Sequence, residues 1–579
     1  MRSPRQGLLA ACLVALAALG LSGCDSALEE DPKTFRNPDN YYSTATELQA
    51  AASGIYRPLL TYGGFKFPLW ADAACDSDIA FCPPWFGSGM SGSDWQGSFW
   101  TQGSNSSWSA FYQVIAQANT LLQNGPDASV DQDVLDATMG QAYFMRGYAY
   151  FGLGLRYGDV PIRDELYNPS QGGFGDAVRD PVHEVWQQAV SDLKAAAERL
   201  PPDYVGYQRG RPTAAAAEGM LAKLYLHMAG KQFTRDQSEE EWYDEYLANN
   251  RQVYVDSARI WAGRVVEQAE MNNFPSLEDD YMALFDEATQ DQSNEILFAI
   301  QMSQHSDGSN DLGPQGSEIP QYYDPNGPAL DGTSFHGGLK LGAVYFRHQW
   351  VQQQDPTDER FEVGSAFHDA WAKFGSDTTY TEESLPEDPD GFSYDGECDP
   401  DLSSTLSGET FGGVVWFTGD AFCNIVYPNG ATSFIRVTPT YFTRKYVSPG
   451  AASKVENQAN FIVLRYADVV LIYAEALARS GRTGEAIEQL NEVRRRSGAS
   501  TYAGVGDIDA PSLKEAIWAE RIRELYGEQD RRWDLLRQGR FFKQLEAVGK
   551  LRPLRRRLLP LPDVEVNGNA EIKVNNPGY

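Results

Sequence analysis

The segment from Asn460 to Gly498 constrains the fold of this chain more than any other stretch of the sequence. In its first half, apolar or small side chains recur at intervals of three and four residues, which places them on one face of a helix. These positions are Leu464, Ala467, Val470, Leu471, Ala474, Leu477 and Ala478. The spacing therefore predicts a helix that starts near Arg465 and buries one face.

A second helix is predicted between Glu485 and Arg496, after a break at Gly481. Glycine adopts the left-handed conformation that often ends a helix without steric cost. The helical spacing then resumes at Ala486, Ile487, Leu490 and Val493. The two helices form an αα-hairpin with a tetratricopeptide-like pattern. Because one such pair cannot bury its own apolar face, we expect further pairs.

Similar helical patterns precede the hairpin. With the two hairpin helices, they start at Thr46, Trp108, Gln141, Pro181, Ala214, Asp256, Arg465 and Glu485. We therefore predict a mainly α fold, a tetratricopeptide-like scaffold of about eight helices in four αα-hairpin pairs. Long loop-rich insertions with small β elements should interrupt it.

One body is expected to span residues 46–579. Helical periodicity occupies mainly residues 46–273 and 460–540, whereas residues 274–459 are rich in Gly, Pro, Asp and Ser and form a loop-rich insertion. Short apolar runs within this insertion, such as Glu295–Ile300, predict strands.

The N-terminus has the features of a bacterial lipoprotein leader. Arg2 and Arg5 precede an apolar run that is too short to span a membrane as a mature helix. The run is followed by Leu-Ser-Gly-Cys, which resembles a lipobox, so we expect residues 1–23 to be a signal peptide and Cys24 to be lipidated.

Residues 24–45 are then a tether, and membrane attachment occurs through the lipid. The acidic residues that follow Cys24 resemble the surface-export signal of Bacteroidetes lipoproteins. A solvated tether without such a signal is the alternative. The formal net charge of −32 excludes nucleic acid as a natural partner, because phosphate binding requires positive potential.

Four further cysteines remain in the mature chain, and an exported protein favours disulfides. We prefer the local pairings Cys75 with Cys82 and Cys398 with Cys423, since each pair brackets one loop-rich segment. The two crossed connectivities are alternatives. A metal site at these cysteines is a weaker alternative, because there is neither a CxxC motif nor a cluster of histidines.

Motifs of enzymes and of cofactor sites are missing from the sequence. There is no HExxH, no GxSxG and no Walker loop, so we predict neither catalysis nor a cofactor. The acidic segment 386–401 lacks EF-hand spacing, and a solvated loop is preferred over a calcium site. In the segment 520–537, Glu520 with Glu524 and Glu528 with Arg532 are spaced by four residues, which predicts ion pairs on a helix face.

Several motifs in a fixed order resemble the SusD/RagB family across nearly the whole mature chain. They are the lipobox, WSAFYQVIAQANTLL, AYFMRGYAYFGLGLRYGDVPI, LRYADVVLIYAEALARSG, AERIRELYGEQDRRWDLLRQGRF and the closing NNPGY. The resemblance implies an outer-membrane lipoprotein that faces the cell exterior. Its helical scaffold would meet a SusC-like TonB-dependent transporter, and its loops would capture glycan oligosaccharides.

The family places ligand contacts in the loops after the first helix and in the irregular insertion. Here these are the tryptophan-rich segment from Trp70 to Trp100 and the aromatic residues of the insertion, among them Phe335, Trp350 and Trp371. Aromatic rings stack on the CH faces of sugars, and carboxylates accept from hydroxyls. The candidate residues are Asp72, Asp78, Trp85, Asp94, Trp95, Trp100, Tyr322 and Tyr323. For any single ring, packing beneath its own loop is the competing interpretation.

The sequence thus predicts a glycan-binding lipoprotein that delivers oligosaccharides to a transporter. A peptide-binding member of the same family is the first alternative. A surface glycoside hydrolase is the second, because paired carboxylates can come from anywhere in so acidic a chain.

Overall fold

The fold is taken from a computed structural model of the 579-residue chain. It describes residues 41–61, 98–164, 177–204, 210–233, 244–272, 274–302, 460–528, 530–548, 550 and 552–579, with short pieces between 64 and 81 and short pieces between 345 and 458.

The described part of the chain is mainly helical. Its α-helices are α1 (Ala45–Gly54), α2 (Ser98–Asn124), α3 (Gln132–Tyr157), α4 (Val182–Arg199), α5 (Ala214–Met228), α6 (Glu245–Asn249), α7 (Arg251–Asn272), α8 (Tyr466–Arg479), α9 (Thr483–Arg496), α10 (Ala510–Leu525), α11 (Asp530–Gln538), α12 (Phe541–Ala547) and α13 (Asp563–Gly568).

Short strands lie mostly between α7 and α8. They are β1 (Ala80–Phe81), β2 (Ile296–Ile300), β3 (Tyr345–Phe346), β4 (Phe367–Ala372), β5 (Thr379–Tyr380), β6 (Ser393–Tyr394), β7 (Thr410–Phe411), β8 (Val414–Val415), β9 (Phe422–Val426), β10 (Thr432–Arg436), β11 (Thr440–Thr443) and β12 (Phe461–Arg465).

The predicted αα-hairpin is α8 and α9, and its turn has the expected cap. Gly481 has a φ of 77°, the left-handed conformation. The N–H of Arg482 donates to the carbonyl of Leu477 at 2.9 Å, and the N–H of Gly481 donates to that of Ala478 at 3.2 Å. This pair of bonds is the Schellman motif, which satisfies two carbonyls that the helix end leaves without partners.

The helices pack as a continuous layer in which each contacts its neighbours in sequence. Contacts run from α2 to α3, α3 to α4, α4 to α5, α5 to α7, α7 to α8, and from α8 to both α9 and α10. One contiguous apolar core extends from Leu48 in α1 to Ile572 near the C-terminus. This arrangement confirms the mainly α, tetratricopeptide-like fold that the spacing predicts.

Several helix boundaries differ from the predicted ones. α2 begins at Ser98 rather than near Trp108, and α3 begins at Gln132 rather than Gln141. The first turns of α2 are rich in Ser, Gly and Asn, which have low helix propensity. Tertiary contacts stabilise them, because the hydroxyl of Ser104 donates to the carbonyl of Pro560 at 2.6 Å and its own carbonyl accepts from the hydroxyl of Tyr157.

The start of the hairpin is also corrected. Leu464 belongs to β12 and not to the first turn of a helix. This strand pairs antiparallel with β2, with Phe461 opposite Ile300 and Ile462 opposite Ala299. Its run of β-branched and aromatic residues suits a buried strand better than a helix.

The C-terminal segment contains the helix α13 and contacts both α2 and α3. The amide of Asn576 donates to the carbonyls of Tyr157 and Leu559 at 2.9 and 2.7 Å. The indole of Trp108 donates to Glu565 at 3.1 Å. None of the helices described here is both long and apolar enough to cross a membrane.

Candidate functional site

The two segments that the sequence predicts to bind ligand meet in one sheet. In this five-stranded sheet the order is β1-β3-β11-β4-β5. β1 comes from the tryptophan-rich segment, and the other four strands come from the insertion. Ala80 lies opposite Phe346, and Phe81 lies opposite Tyr345. Backbone pairing therefore joins the segments although more than half of the scaffold lies between them in the sequence.

The strands of this sheet are unusually rich in aromatic residues. Trp371, one of the aromatic residues expected in the ligand region, belongs to β4, and its backbone partner on β5 is Tyr380. Tyr441 on β11 is opposite both Phe346 and Asp369. The aromatic residues of the sheet are Phe81, Tyr345, Phe346, Phe367, Trp371, Tyr380, Tyr441 and Phe442.

The chain just before β1 is held on the C-terminal part of the scaffold by buried charges. Asp76 accepts from Arg532 at 2.6 Å and from Arg552 at 2.8 Å. The ammonium group of Lys550 donates to the carbonyls of Ser77 and Ala80, both at 2.7 Å. We call residues Asp76 to Ala80 the anchor segment. Its contacts hold this part of the tryptophan-rich segment on the scaffold.

Asp78, one of the candidate ligand-binding residues, lies within this anchor segment. It is 8% exposed, and its carboxylate accepts from Nε and Nη2 of Arg531 at 2.6 and 2.5 Å. Burial alone would raise the pKa of Asp78, but the adjacent Arg531 guanidinium outweighs it and the pKa is lowered. Both carboxylate oxygens are therefore engaged by a cation of the scaffold.

At the other end of the tryptophan-rich segment, the helix α2 is the second fixed point. Trp100 lies in the first turn of this helix, and nothing is described of its side chain. The described chain therefore ends at Phe81 in β1 and resumes at Ser98 in α2. The remaining candidates lie outside the described residues, and their role stays a prediction: Asp72, Trp85, Asp94, Trp95, Tyr322 and Tyr323.

The other predicted modifications are likewise outside the described residues, including the lipidation of Cys24. Three of the four disulfide candidates, Cys75, Cys82 and Cys398, are there too. Cys423 lies in β9, opposite Ile435 of β10. The acidic loop 386–401 overlaps the described chain only at β6. Among the described residues, no group of three or more His, Cys, Asp or Glu has an arrangement that would hold a metal ion.

The middle of the sheet is tied to the scaffold through Lys445, which follows the central strand β11. Its ammonium group donates to the carbonyls of Glu524 and Tyr526 at 3.0 and 2.8 Å, and to the carboxylate of Glu528 at 2.7 Å. It also lies 3.9 Å from the centre of the Tyr526 ring. Burial lowers the pKa of Lys445 to about 7. The sheet is thus held at β1 and at β11 by buried cations or carboxylates.

Lys445 belongs to a larger buried network around four carboxylates, which we call the glutamate cluster: Glu295, Glu520, Glu524 and Glu528. Arg465 contacts Glu295 at 2.7 Å, Glu524 at 2.5 Å and Glu528 at 2.8 Å. Arg360 contacts Glu520 and Glu524, both at 2.6 Å. The network joins α10 to β12, to the segment before β2 and to the end of the insertion.

This network corrects the predicted helix-face ion pairs. α10 ends at Leu525, and Gly527 with a φ of 77° turns the chain, so Glu528 and Arg532 are not on one helix. Arg532 instead contacts Asp76 at 2.6 Å. The structural rather than catalytic interpretation of the segment stands, but its charges are buried and pair between distant elements.

Trp350 of the insertion is a packing residue. Its ring lies 5.3 Å from that of Phe361 and 5.8 Å from that of Tyr526, in edge-to-face geometry. Neither the anchor segment nor the aromatic sheet is predicted by the sequence. The aromatic pairs at 345–346 and 441–442 are the only local signal for the sheet, and each is too short to predict a pairing partner.

The chain is similar to proteins of known family along almost its whole length. The model of the SusD family matches residues 281–579, and a second model, described as starch-binding associating with outer membrane, matches residues 88–226. The SusD-like protein P2 of Formosa agariphila is 25% identical, over 97% of this chain and 98% of its own length.

Solved structures with the same fold cover almost the whole chain. A SusD homologue from Bacteroides thetaiotaomicron has a TM-score of 0.66 at 22% identity, covering 94% of this chain and 98% of its own. A laminarin-binding SusD-like protein has a TM-score of 0.64 at 22% identity, covering 93% and 100%. The family model accounts for the glutamate cluster, the hairpin and the C-terminal segment, so this chain belongs to the SusD family.

Proposed function

We propose that this chain is a cell-surface lipoprotein that binds glycan oligosaccharides and passes them to a SusC-like TonB-dependent transporter, without chemistry of its own. The observation that carries the proposal is the sheet in which the tryptophan-rich segment and the aromatic insertion are joined. Family membership and the starch-binding description of the model that matches residues 88–226 support it.

Rigid placement of the aromatic rings favours sugar binding. Sugars are uncharged in most glycans and present flat CH surfaces, so their recognition depends on aromatic rings held at fixed positions. A segment clamped at Asp76 to Ala80 and at Ser98 loses less conformational entropy on binding than a free loop would. The anchors would therefore serve affinity by holding the segment in place.

Attachment through a lipid at Cys24 would leave the body at the membrane surface, facing the cell exterior. The scaffold helices would then face the transporter, while the aromatic sheet and its segments receive the oligosaccharide. A transporter partner follows from the family and from this geometry of attachment, and it is part of the proposal.

The test is a calorimetric titration of the chain lacking residues 1–24 with laminarin, maltohexaose and xylohexaose. We expect at least one to bind, and Trp95→Ala or Trp100→Ala to weaken that binding by about 1 kcal/mol or somewhat more. Trp518→Phe is the control, since Trp518 of α10 has its cation–π contacts with Lys514 and Arg540, away from the tryptophan-rich segment.

Three results would contradict the proposal or its site. Binding of peptides with no binding of any glycan would favour the peptide-binding alternative. Release of shorter sugars would make the protein a hydrolase. Unchanged affinity in both tryptophan variants would place the site elsewhere.

A further inference from the structure

An open cleft of about 760 Å³ lies where α3 ends and α4 begins. Several separate parts of the chain line it. They are Gly158 and Asp159, Arg179 with Pro181 to His183, α6 with the residues flanking it, Asn575 to Pro577 of the C-terminal segment, and the single residues Phe233 and Leu558. The volume falls within the range of about 300–1,000 Å³ that is usual for small-molecule sites. The described strands of the aromatic sheet contribute nothing to its lining.

An aromatic ring with an open face borders the cleft. Tyr246 of α6 is 45% exposed, and its ring is stacked on the imidazole of His183, with centroids 4.7 Å apart and planes inclined by 22°. His183 covers one face of the ring, so the exposed surface includes the other face. A half-exposed tyrosine that is already stacked from behind is a rigid platform for a flat apolar surface.

The platform is held by hydrogen bonds that start from one carboxylate. Oδ2 of Asp244 lies 2.9 Å from Nδ1 of His183, while Oδ1 of Asp244 accepts from the N–H of Leu247 at 2.9 Å. Asp244 therefore caps α6, which carries Tyr246, and orients the imidazole beneath the ring. The position of the ring does not depend on a ligand.

The opposite wall carries polar groups that are also fixed. Oδ1 of Asp159 accepts from the N–H of Val182 at 2.8 Å. Arg179 donates to the carbonyl of Asp159 at 2.9 Å and to Oδ1 of Asn576 at 2.5 Å. Burial raises the pKa of the Asp159 carboxyl, against the nearby Arg179. A ligand between this wall and the platform would find both acceptors and a donor.

The chemistry of the lining selects among ligands. The carboxylates of Asp159, Asp244 and Glu245 outnumber the single guanidinium of Arg179, so a sulfated or carboxylated sugar would meet repulsion. The side chains of Phe233 and Leu558 give the cleft an apolar floor, which a compact inorganic ion would not use. An uncharged ring with hydroxyl groups and CH faces matches both the acceptors and the platform.

We propose that this cleft is a saccharide-binding site for uncharged sugars, with Tyr246 as its stacking platform and its acidic lining excluding sulfated and uronic sugars. This inference rests on the proposed glycan-binding function, and it adds a second site on the helical scaffold. An oligosaccharide captured by the aromatic sheet would then have a further contact on the same molecule.

The experiment uses the full chain, labelled with 3-fluorotyrosine and purified in detergent, so that Tyr246 is observed directly by ¹⁹F NMR. Tyr246→Phe removes one resonance and assigns it. Maltohexaose, laminarihexaose and a sulfated oligosaccharide are the probes. We expect an uncharged probe to shift the Tyr246 resonance saturably and the sulfated one to leave it in place.

A second measurement is calorimetric, on a background of Trp95→Ala and Trp100→Ala. There Tyr246→Ala should weaken binding of the uncharged probe about tenfold, which is about 1.4 kcal/mol, whereas Tyr246→Phe keeps the ring and the affinity. Val253→Ala is the matched control, because Val253 is exposed on α7 and does not line the cleft.

The outcomes separate this inference from the proposed function. A Tyr246 resonance that no uncharged probe moves, in a protein that still binds glycan, overturns the second site alone. A protein that binds no glycan at all overturns both. An equal shift with the sulfated probe overturns the selectivity for uncharged sugars.

Discussion

The carboxylate of Asp78 accepts two hydrogen bonds from Arg531, at 2.6 and 2.5 Å, across 453 residues of sequence. One partner belongs to the anchor segment and the other to α11 of the scaffold. This pair, with the contacts of Asp76 and Lys550, holds residues 76–80 of the tryptophan-rich segment on the scaffold. Its role can be tested separately from direct ligand contact.

Asp78→Asn and Arg531→Gln should have equal effects. Each leaves one charge of a largely buried pair without its partner, so we expect each to lower the free energy of unfolding by about 3 kcal/mol and to weaken glycan binding similarly. The double variant should be no worse than either single one, which urea denaturation and calorimetry would show. Loss of affinity in the Asp78 variant alone would mean that Asp78 contacts the ligand itself.

Glu524→Gln should be among the most destabilising single changes in the scaffold. Glu524 contacts Arg360 at 2.6 Å and Arg465 at 2.5 Å and also pairs with Arg496, and it is fully buried. Removing its charge leaves these guanidinium groups undercompensated, at a cost of about 3–5 kcal/mol. Glu515→Gln is the control, because Glu515 and Arg540 form an exposed pair that contributes less than about 1 kcal/mol. Similar denaturation midpoints for the two variants would contradict the prediction.

The protein should lose stability in acid, below about pH 4.5. Burial by itself would raise the pKa of Glu524, but Arg496, Arg465 and Arg360 outweigh it and hold the pKa well below the ordinary value. Such a carboxylate contributes stability above its unfolded-state pKa, and the contribution is lost as pH falls through the folded-state value. A series of thermal melts from pH 7 to pH 3 measures it, and a curve that stays flat to pH 3 would refute it.

Protonation of Asp530 should stabilise the folded state, and it should do so at a higher pH than that at which Glu524 loses its contribution. Burial, against the attraction of Lys223, raises its pKa to about 6. The folded state therefore binds this proton more tightly than the unfolded state, so its protonation adds stability as pH falls from about 6 towards 4. Asp530→Asn should remove this rise from the melting curves, and a rise that persists in the variant must come from another group.

Gly154→Ala should destabilise the pairing of α3 with α4. An added Cβ would lie 2.8 Å from Cδ1 of Trp186 and closer still to its Nε1, and Trp186 is fully buried. Overpacking of this kind costs about 1–3 kcal/mol. Gly484→Ala is the comparison: its Cβ would have only Val505 nearby, at 3.8 Å, and alanine favours the helix α9. Equal melting temperatures for the two variants would contradict the packing argument.

Cys24→Ser should abolish lipid attachment. The serine has no thiol and cannot carry the thioether-linked lipid. Labelled palmitate should be incorporated into the original chain and not into the variant, with mass spectrometry reading the N-terminus. Incorporation in both chains would show that the lipobox assignment is wrong.

Sequence spacing predicted the scaffold well because helical faces are local. The αα-hairpin follows from intervals of three and four residues, and its cap follows from Gly481. Helix starts were less accurate where contacts override propensity, as at Ser104 in the first turns of α2. Arg465 ends a strand and not a helical turn because β2 offers it a partner.

The candidate site was less predictable for a physical reason. Its organisation depends on pairings between distant residues, such as Asp76 with Arg532 and Ala80 with Phe346. No local periodicity encodes such pairs, and short aromatic strands give little signal on their own. Glu520 and Glu524 lie on one helix, as their spacing suggests, but both also pair with Arg360 of the insertion, which no spacing on that helix indicates.

The pairing of β1 with β3 depends on the backbone, and it therefore places few demands on the side chains of either segment. Residues 82–97 are bounded by that strand on one side and by Ser98 on the other. Under the proposed function, replacing this stretch would change the sugar that is recognised, while the charged anchors stay in place. A chimera that replaces only residues 82–97 is accordingly the smallest graft that should transfer specificity in a folded protein.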